Sequence, residues 1–216
     1  MLLQGWANKR QRVGKCLRVN LRKRGIWLIR KANEENLRKL YKEHMEKDFP
    51  AIERPPFAHF QKLTKEEIQD VLIYSEDGKD VAYCVTAIGN AFVLISFLAV
   101  YEEFRGKGVG SQMLTEVKEF YSDKAGFMIE VEKPEDAKNE AERKLRERRI
   151  AFYERCGFFL LEKIEYLLWK VPFFIMVTEK KFGEAYIAEE LKKVYRKLLR
   201  PEYRDMLQIS VREGEM

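Results

Sequence analysis

Cysteine and histidine are scarce in this 216-residue chain. Cys16, Cys84 and Cys156 are widely spaced and form no C-x-x-C pair. That excludes a disulfide framework and a zinc site of the usual spacing. His44 and His59 are the only histidines, too few for a His-based metal centre. No metal is expected. Long apolar runs are missing too. The longest, around residues 91–101, has the length of a strand and falls short of a membrane span. The first residues lack the continuous apolar stretch of a secretory signal, so a reducing, cytoplasmic setting is the expectation.

Acidic residues are absent from positions 1–24, which hold eight of the 41 Lys and Arg residues. The remaining 33 basic residues face 35 acidic ones, a net of −2 from residue 25 onward. The formal charge of +6 therefore belongs to an N-terminal arm and not to the body. A basic body would have pointed to nucleic acid. Here nucleic acid is expected, if anywhere, only through residues 1–24. The arm reads first as an extension without a role, then as a contact for an acidic partner, and last as a transit peptide.

What is present is a hydrophobic fraction of 46%, enough for one α/β domain with a core. Residues 25–182 are read as that domain, and 183–216 as a closing helix and tail. Gly25–Lys31 reads as a first strand. Asn33 is an N-cap for a helix with Leu37, Leu40, Tyr41, His44 and Met45 on one face. Asp48–Lys62 holds Pro50, Pro55 and Pro56 and reads as an irregular loop. There Phe57, Phe60 and Glu53 are candidates for a substrate wall. Thr64 is expected to start a short helix. Three antiparallel strands follow, at Asp70–Ser75, Asp80–Ala87 and Phe92–Tyr101, joined by turn-forming residues.

The chain is organised around 92–120. An almost wholly apolar strand leads into Arg105-Gly106-Lys107-Gly108-Val109-Gly110-Ser111, and then into a helix with Met113, Leu114, Val117 and Phe120 on one stripe. Glycines admit a close backbone approach. A helix N-terminus offers free N–H groups and partial positive charge. The combination is an anion site, most often for phosphate. It is not a P-loop, because Lys107 is followed by neither Ser nor Thr. Nor is it the dinucleotide fingerprint, since the glycines are spaced G-x-G-x-G. Phe127–Glu132 then reads as a strand parallel to its predecessor. Glu135–Arg155 reads as a charged, solvated helix ending in Phe152-Tyr153-Glu154-Arg155-Cys156-Gly157-Phe158. Phe158–Lys170 and Phe173–Glu179 are two further strands, and Gly183–Leu199 a last helix that Pro201 stops.

Two of these stretches together carry a family resemblance. Arg105–Ser111 resembles the R-x-x-G-x-G acetyl-CoA motif of the GNAT N-acetyltransferases. Residues 152–158 resemble their FYE-x-x-GF segment. The resemblance covers roughly 25–179 and implies a mixed, mostly antiparallel α/β (α+β) sheet with helices on both faces. It implies transfer of the acetyl group of acetyl-CoA to an amine, with a small molecule favoured over a peptide. Arg105, Gly106, Lys107, Gly108, Val109, Gly110 and Ser111 would hold the pyrophosphate. Leu98 and Val100 would meet the pantetheine arm through their backbones, and the Val100 N–H would polarise the thioester carbonyl. Tyr153 would be the general acid. Many members carry Asn seven residues before that tyrosine, where this chain has Arg146. For the base, Glu130 and Glu132 share one face of their strand, and Glu132 is preferred. The alternative is a catalytically idle acyl-CoA-binding or regulatory module of the same fold, touching RNA through its arm. A homodimer is left open.

Overall fold

In the computed structural model, residues 17–22 and 25–212 are described. Among these residues nine strands form one sheet, with the order β1-β2-β3-β4-β5-β6-β8-β7-β9. The first five, β1 (Leu17–Arg22), β2 (Gly25–Lys31), β3 (Gln69–Glu76), β4 (Lys79–Ile88) and β5 (Phe92–Val100), pair antiparallel in succession. The β3–β4 turn places Asp77 and Gly78 at positive φ, the geometry that suits the right-handed twist of a hairpin. β6 (Gly126–Glu132) runs parallel to β5, as a helical crossover requires. β7 (Phe159–Leu168) and β8 (Val171–Val177) form a hairpin whose second strand pairs with β6.

The sheet is covered on both faces. α4 (Val109–Phe120) and α5 (Glu140–Arg155) lie over one, packing Met113, Leu114, Val117 and Tyr153 on Ile29, Tyr74, Val93 and Ile129. The other face carries α1 (Glu34–Leu40), a π-helical turn at Tyr41–Met45, α2 (Glu46–Asp48), α3 (Phe57–Lys65) and α6 (Glu184–Leu198). Asn33 does cap α1, its side chain accepting from the Asn36 N–H at 2.8 Å.

Four expectations need correcting. α3 occupies 57–65, inside the stretch read as a proline loop, because all three prolines precede it and Pro56 serves as its N-cap. Phe60 is consequently fully buried and is no substrate wall, while Phe57 is half-buried against Tyr41. Thr64 ends this helix rather than starting one; its hydroxyl donates to the Phe60 carbonyl. The charged helix begins at Glu140, after a 3₁₀ turn at Pro134–Asp136 and an Asn139 cap, and its Arg146 is buried rather than solvated.

Two edge strands were not anticipated. The last six residues of the expected 1–24 extension that are described, Leu17–Arg22, form β1; residues 1–16 lie outside the described residues. β9 (Leu207–Val211) lies in the expected tail and pairs antiparallel with β7.

Candidate active site

The glycine turn needs its glycines at two positions. Gly106 and Gly108 have φ of +75° and +79°, a region costly to residues with a Cβ. Gly108 is the N-cap of α4 and no side chain caps that helix. The first N–H groups of α4 are therefore the ones an anion can take. Gly110 matters for a different reason. A Cβ there would lie 3.3 Å from Phe152 Cζ, so the turn and the 152–158 segment touch at this point. They touch again where Cys156 Sγ lies 3.6 Å from Ser111 Oγ.

Beside the turn the sheet opens. β5 and β6 pair only from Phe92↔Gly126 to Ile95↔Ile129. The β4–β5 register shifts at the same level, since Thr86 faces Ile95 while Val85 faces Phe97, which makes Ser96 the extra residue of a bulge. Beyond it, β5 stays on β4 and leaves β6. The Tyr101 N–H donates to Val81 O, on the β4 side. Because successive residues direct their N–H groups to alternate edges, Leu98 and Val100 turn theirs toward the open side. The Val100 carbonyl accepts from Arg105 Nε at 2.9 Å.

Arg105 is also a cross-tie. Its Nη2 reaches Asp48 Oδ1 at 2.9 Å, joining the turn to α2 on the opposite face. Asp48 Oδ2 accepts from the Tyr83 hydroxyl. Lys107 folds back, with Nζ donating to Glu103 O. Above Tyr83, His44 stacks on Tyr101 with ring centroids 3.6 Å apart, and burial pushes its imidazole down from the ordinary value. His44 is thus a packed side chain at a π-helical turn.

Tyr153 lies at the end of α5, where Gly157 at φ +80° closes the helix and the Phe158 N–H returns to Tyr153 O. Its ring packs edge-on against Phe152 and Phe158. Burial raises its phenol above the ordinary value, opposed by the charge of Arg149. It belongs to the cluster that contains Cys84, the partner of Leu98 across the β4–β5 ladder, and Leu98 and Val100 pack against the same cluster. Tyr121, Tyr166 and Tyr195 instead have their hydroxyls held by carboxylates.

Glu132 is committed to arginines. Oε1 accepts from Arg146 at 3.1 Å and Oε2 from Arg149 at 2.9 Å. Arg146 also reaches Glu142 and the Lys133 carbonyl, so it ties α5 to the end of β6. Glu130 follows directly on Ile129, the last β6 residue paired with β5, and remains paired with Ile175 of β8. Its Oε1 accepts from the Tyr166 hydroxyl at 2.7 Å and from the Tyr195 hydroxyl at 2.6 Å. Burial pushes this carboxyl above the ordinary range, and the two hydroxyl groups oppose the shift. Glu53 is exposed as a residue, yet protein crowds its carboxyl enough to push it up, with the charge of Glu132 adding to this.

Residues 67–159 match the family model described as an acetyltransferase (GNAT) domain. That stretch holds both the glycine turn and Tyr153, and it is similar to a GNAT acetyltransferase domain. No curated protein matches the chain by sequence. Among solved structures, a protein described as a GNAT-family acetyltransferase from Bacteroides thetaiotaomicron is 23% identical, with a TM-score of 0.64 over 82% of this chain and 98% of its own. The ribosomal-protein-S18-alanine N-acetyltransferase of Escherichia coli is 20% identical, with a TM-score of 0.52 over 70% and 92%. NAA60 of Arabidopsis thaliana, solved in complex with acetyl-CoA, is 17% identical, with a TM-score of 0.53 over 70% and 97%. At these identities the likeness is one of fold.

The turn, the uncapped helix and the opened strand fit a pyrophosphate with an extended arm, as acetyl-CoA carries. Among the described residues no group of His, Cys, Asp and Glu could hold a metal, and no helix is long and apolar enough to cross a membrane. The structure brings Leu98, Val100, Arg105–Ser111 and Tyr153 to one side of the opening. Asp48, Tyr166 and Tyr195 were not singled out from the sequence. For the two tyrosines the only signal was membership of apolar strand or helical stripes, which does not distinguish a core tyrosine from one that holds a carboxylate.

Proposed function

We propose that this protein transfers the acetyl group of acetyl-CoA directly to a small amine, with the amine entering from the α6 side of the opened sheet. The observation that carries the reading is the parting of β5 from β6 after Ile95 and Ile129, with the glycine turn on one side and Tyr153 beside it. In this reading the N–H groups of Gly106–Ser111 hold the pyrophosphate, and Arg105 braces the turn. Leu98 and Val100 offer backbone groups to the pantetheine arm. The Val100 N–H stabilises the oxyanion that forms as the amine attacks the thioester carbon. The tetrahedral centre then expels the thiolate, Tyr153 gives it a proton, and the second proton shed by the nitrogen restores Tyr153 through solvent. A phenol whose burial disfavours ionisation is a poor free acid, so it serves as a hydrogen-bond donor until the thiolate develops.

An ammonium must lose a proton before it attacks, since a free alkylamine titrates near the lysine value of about 10.4. Glu132 is one candidate acceptor, but both its oxygens already hold guanidinium N–H groups. We favour Glu130. It stands where the strands part, and burial raises its affinity for a proton. Glu132 then fixes Arg146 and Arg149 beside the acid. The small-molecule preference is supported by a pinned acceptor loop: the Tyr41 hydroxyl donates to Pro55 O, Arg54 Nε donates to Phe49 O, and Phe49 packs on Phe97 of β5.

The test is a two-substrate assay with purified full-length chain, acetyl-CoA, and matched panels of small amines and N-terminal peptides. Turnover of small amines with a kcat/KM above that of any peptide is expected. Faster turnover of peptides would overturn the acceptor class, and thermal stabilisation by acetyl-CoA without any turnover would favour the idle module.

A further inference from the structure

Between α6 and β9 runs a groove of about 530 Å³ that the acetyl-transfer reading does not use. It exists because Pro201 stops α6 and a 3₁₀ turn at Pro201–Met206 reverses the chain, so that β9 returns alongside the helix. Lys192 and Arg196, one helical turn apart, form one bank, and Arg204 closes an end. Gln208 stands on the other bank, and Leu199 and Ile209 give the groove apolar surface.

Its charge is one-sided. Three cations line it and no carboxylate does. Arg204 is held against the helix, with Nη2 donating to the Arg196 carbonyl at 3.1 Å, which keeps two like-charged side chains at the same end. The helix dipole accounts for basic residues in the last turn of α6. It does not account for Arg204, which comes from another element, or for the concavity. Glu189 pairs with Lys192 at 2.7 Å and its charge is also felt at Arg196, but it lies outside the lining, and among the described residues neither Arg196 nor Arg204 forms an ion pair. A guanidinium has five N–H donors, of which Arg204 uses one here, and its fork matches two oxygens of one phosphate. The volume lies within the range of small-molecule sites.

We propose that this groove binds a small organic phosphate, with Arg196, Arg204 and Lys192 on the phosphate group and the apolar surface under the organic part. The site is separate from the coenzyme cradle, which lies on the opposite face of the sheet. Tyr195 joins the groove to the acceptor side, since it lines the one and its hydroxyl holds Glu130.

The experiment uses the full chain saturated with acetyl-CoA, so that the cradle is filled. Inorganic phosphate is titrated at ionic strength matched with sodium chloride, and melting is recorded for wild type and for R196Q/R204Q. At ten times its Kd, bound phosphate should raise the melting temperature of the wild type by roughly 3–6 °C over the chloride control. The double variant should show no such rise, and Lys192→Gln, which keeps both arginines, a smaller one. Equal rises in wild type and R196Q/R204Q would reveal only the general stabilisation by an excluded salt and overturn the proposal. So would the absence of any rise in the wild type. Tight binding of a short single-stranded oligonucleotide without a phosphate effect would replace the small ligand with a nucleic-acid surface.

Discussion

In the proposed function the cradle at Arg105–Ser111 takes the coenzyme and the buried carboxylate of Glu130, the recess, takes the amine's proton, yet the two are built by different means. The cradle is local. One strand, one turn and one helix, contiguous in sequence, present backbone N–H groups, and side chains are chiefly kept out of the way. The recess is assembled from afar. Glu130 comes from β6, Tyr166 from β7 and Tyr195 from α6, and their hydroxyl groups meet on one oxygen. Backbone donors bind what every member of a family shares; side chains gathered from several elements can differ with the acceptor. Arg105 instead ties the cradle to α2, with one nitrogen on the Val100 carbonyl and one on Asp48.

This contrast can be broken at either end. The largest effect is expected at the chemistry. Tyr153→Phe should lower kcat by about 10²–10⁴-fold, the range for a lost general acid, while calorimetry shows acetyl-CoA affinity nearly unchanged. Wild-type turnover in that variant would remove Tyr153 from the mechanism.

Next in size is the recess. Glu130→Gln should lower kcat/KM for the amine by about 10²-fold, the lower end of base catalysis. The pH profile makes the test sharper. Glu130 acts as a base only when ionised, and burial holds its carboxyl above the ordinary 4.5. The acid limb of kcat/KM should therefore lie above that value and vanish in the variant. The stability linkage has the opposite sense: a carboxyl raised in the folded state favours folding most below its unfolded value, and that contribution is lost as pH rises through the folded one. If the limb survives in Glu130→Gln and disappears in Glu132→Gln, the base is Glu132.

A smaller effect belongs to the cradle. Gly108→Ala meets no atom within 4 Å, so only the positive φ penalises it. Denaturant melts should show a loss of about 1–2 kcal/mol, the cost of the left-handed region for a residue with a Cβ. A loss near zero would mean that the turn relaxes without ligand. The smallest change is expected for Arg105→Gln. Its ion pair with Asp48 is half exposed and should contribute at most about 1 kcal/mol to stability. Its value as a tie would appear instead as a rise in KM for both substrates.

Much of the architecture was legible in the residues. Apolar runs, hairpin turns and helical stripes marked β2–β8, α4, α5 and α6, and the motifs at 105–111 and 152–158 marked two segments that the fold brings into contact. The edge strands were missed because they are short and rich in polar residues, although Leu17-Val19-Leu21 and Leu207-Ile209-Val211 alternate with polar neighbours as strands do. The helix α3 was missed because prolines were read as breaking a stretch that they only precede.

The sequence by itself determined the local devices: which residues can take positive φ, where a helix begins without a cap, and which strand is apolar enough to be buried. These depend on near neighbours and on intrinsic backbone preference. Only the tertiary structure decided that Gly110 meets Phe152, that Glu132 is occupied by Arg146 and Arg149, and that Tyr166 and Tyr195 share Glu130. Those pairings join residues far apart in the chain. They follow from strand order and helix placement, which no single stretch of the chain encodes.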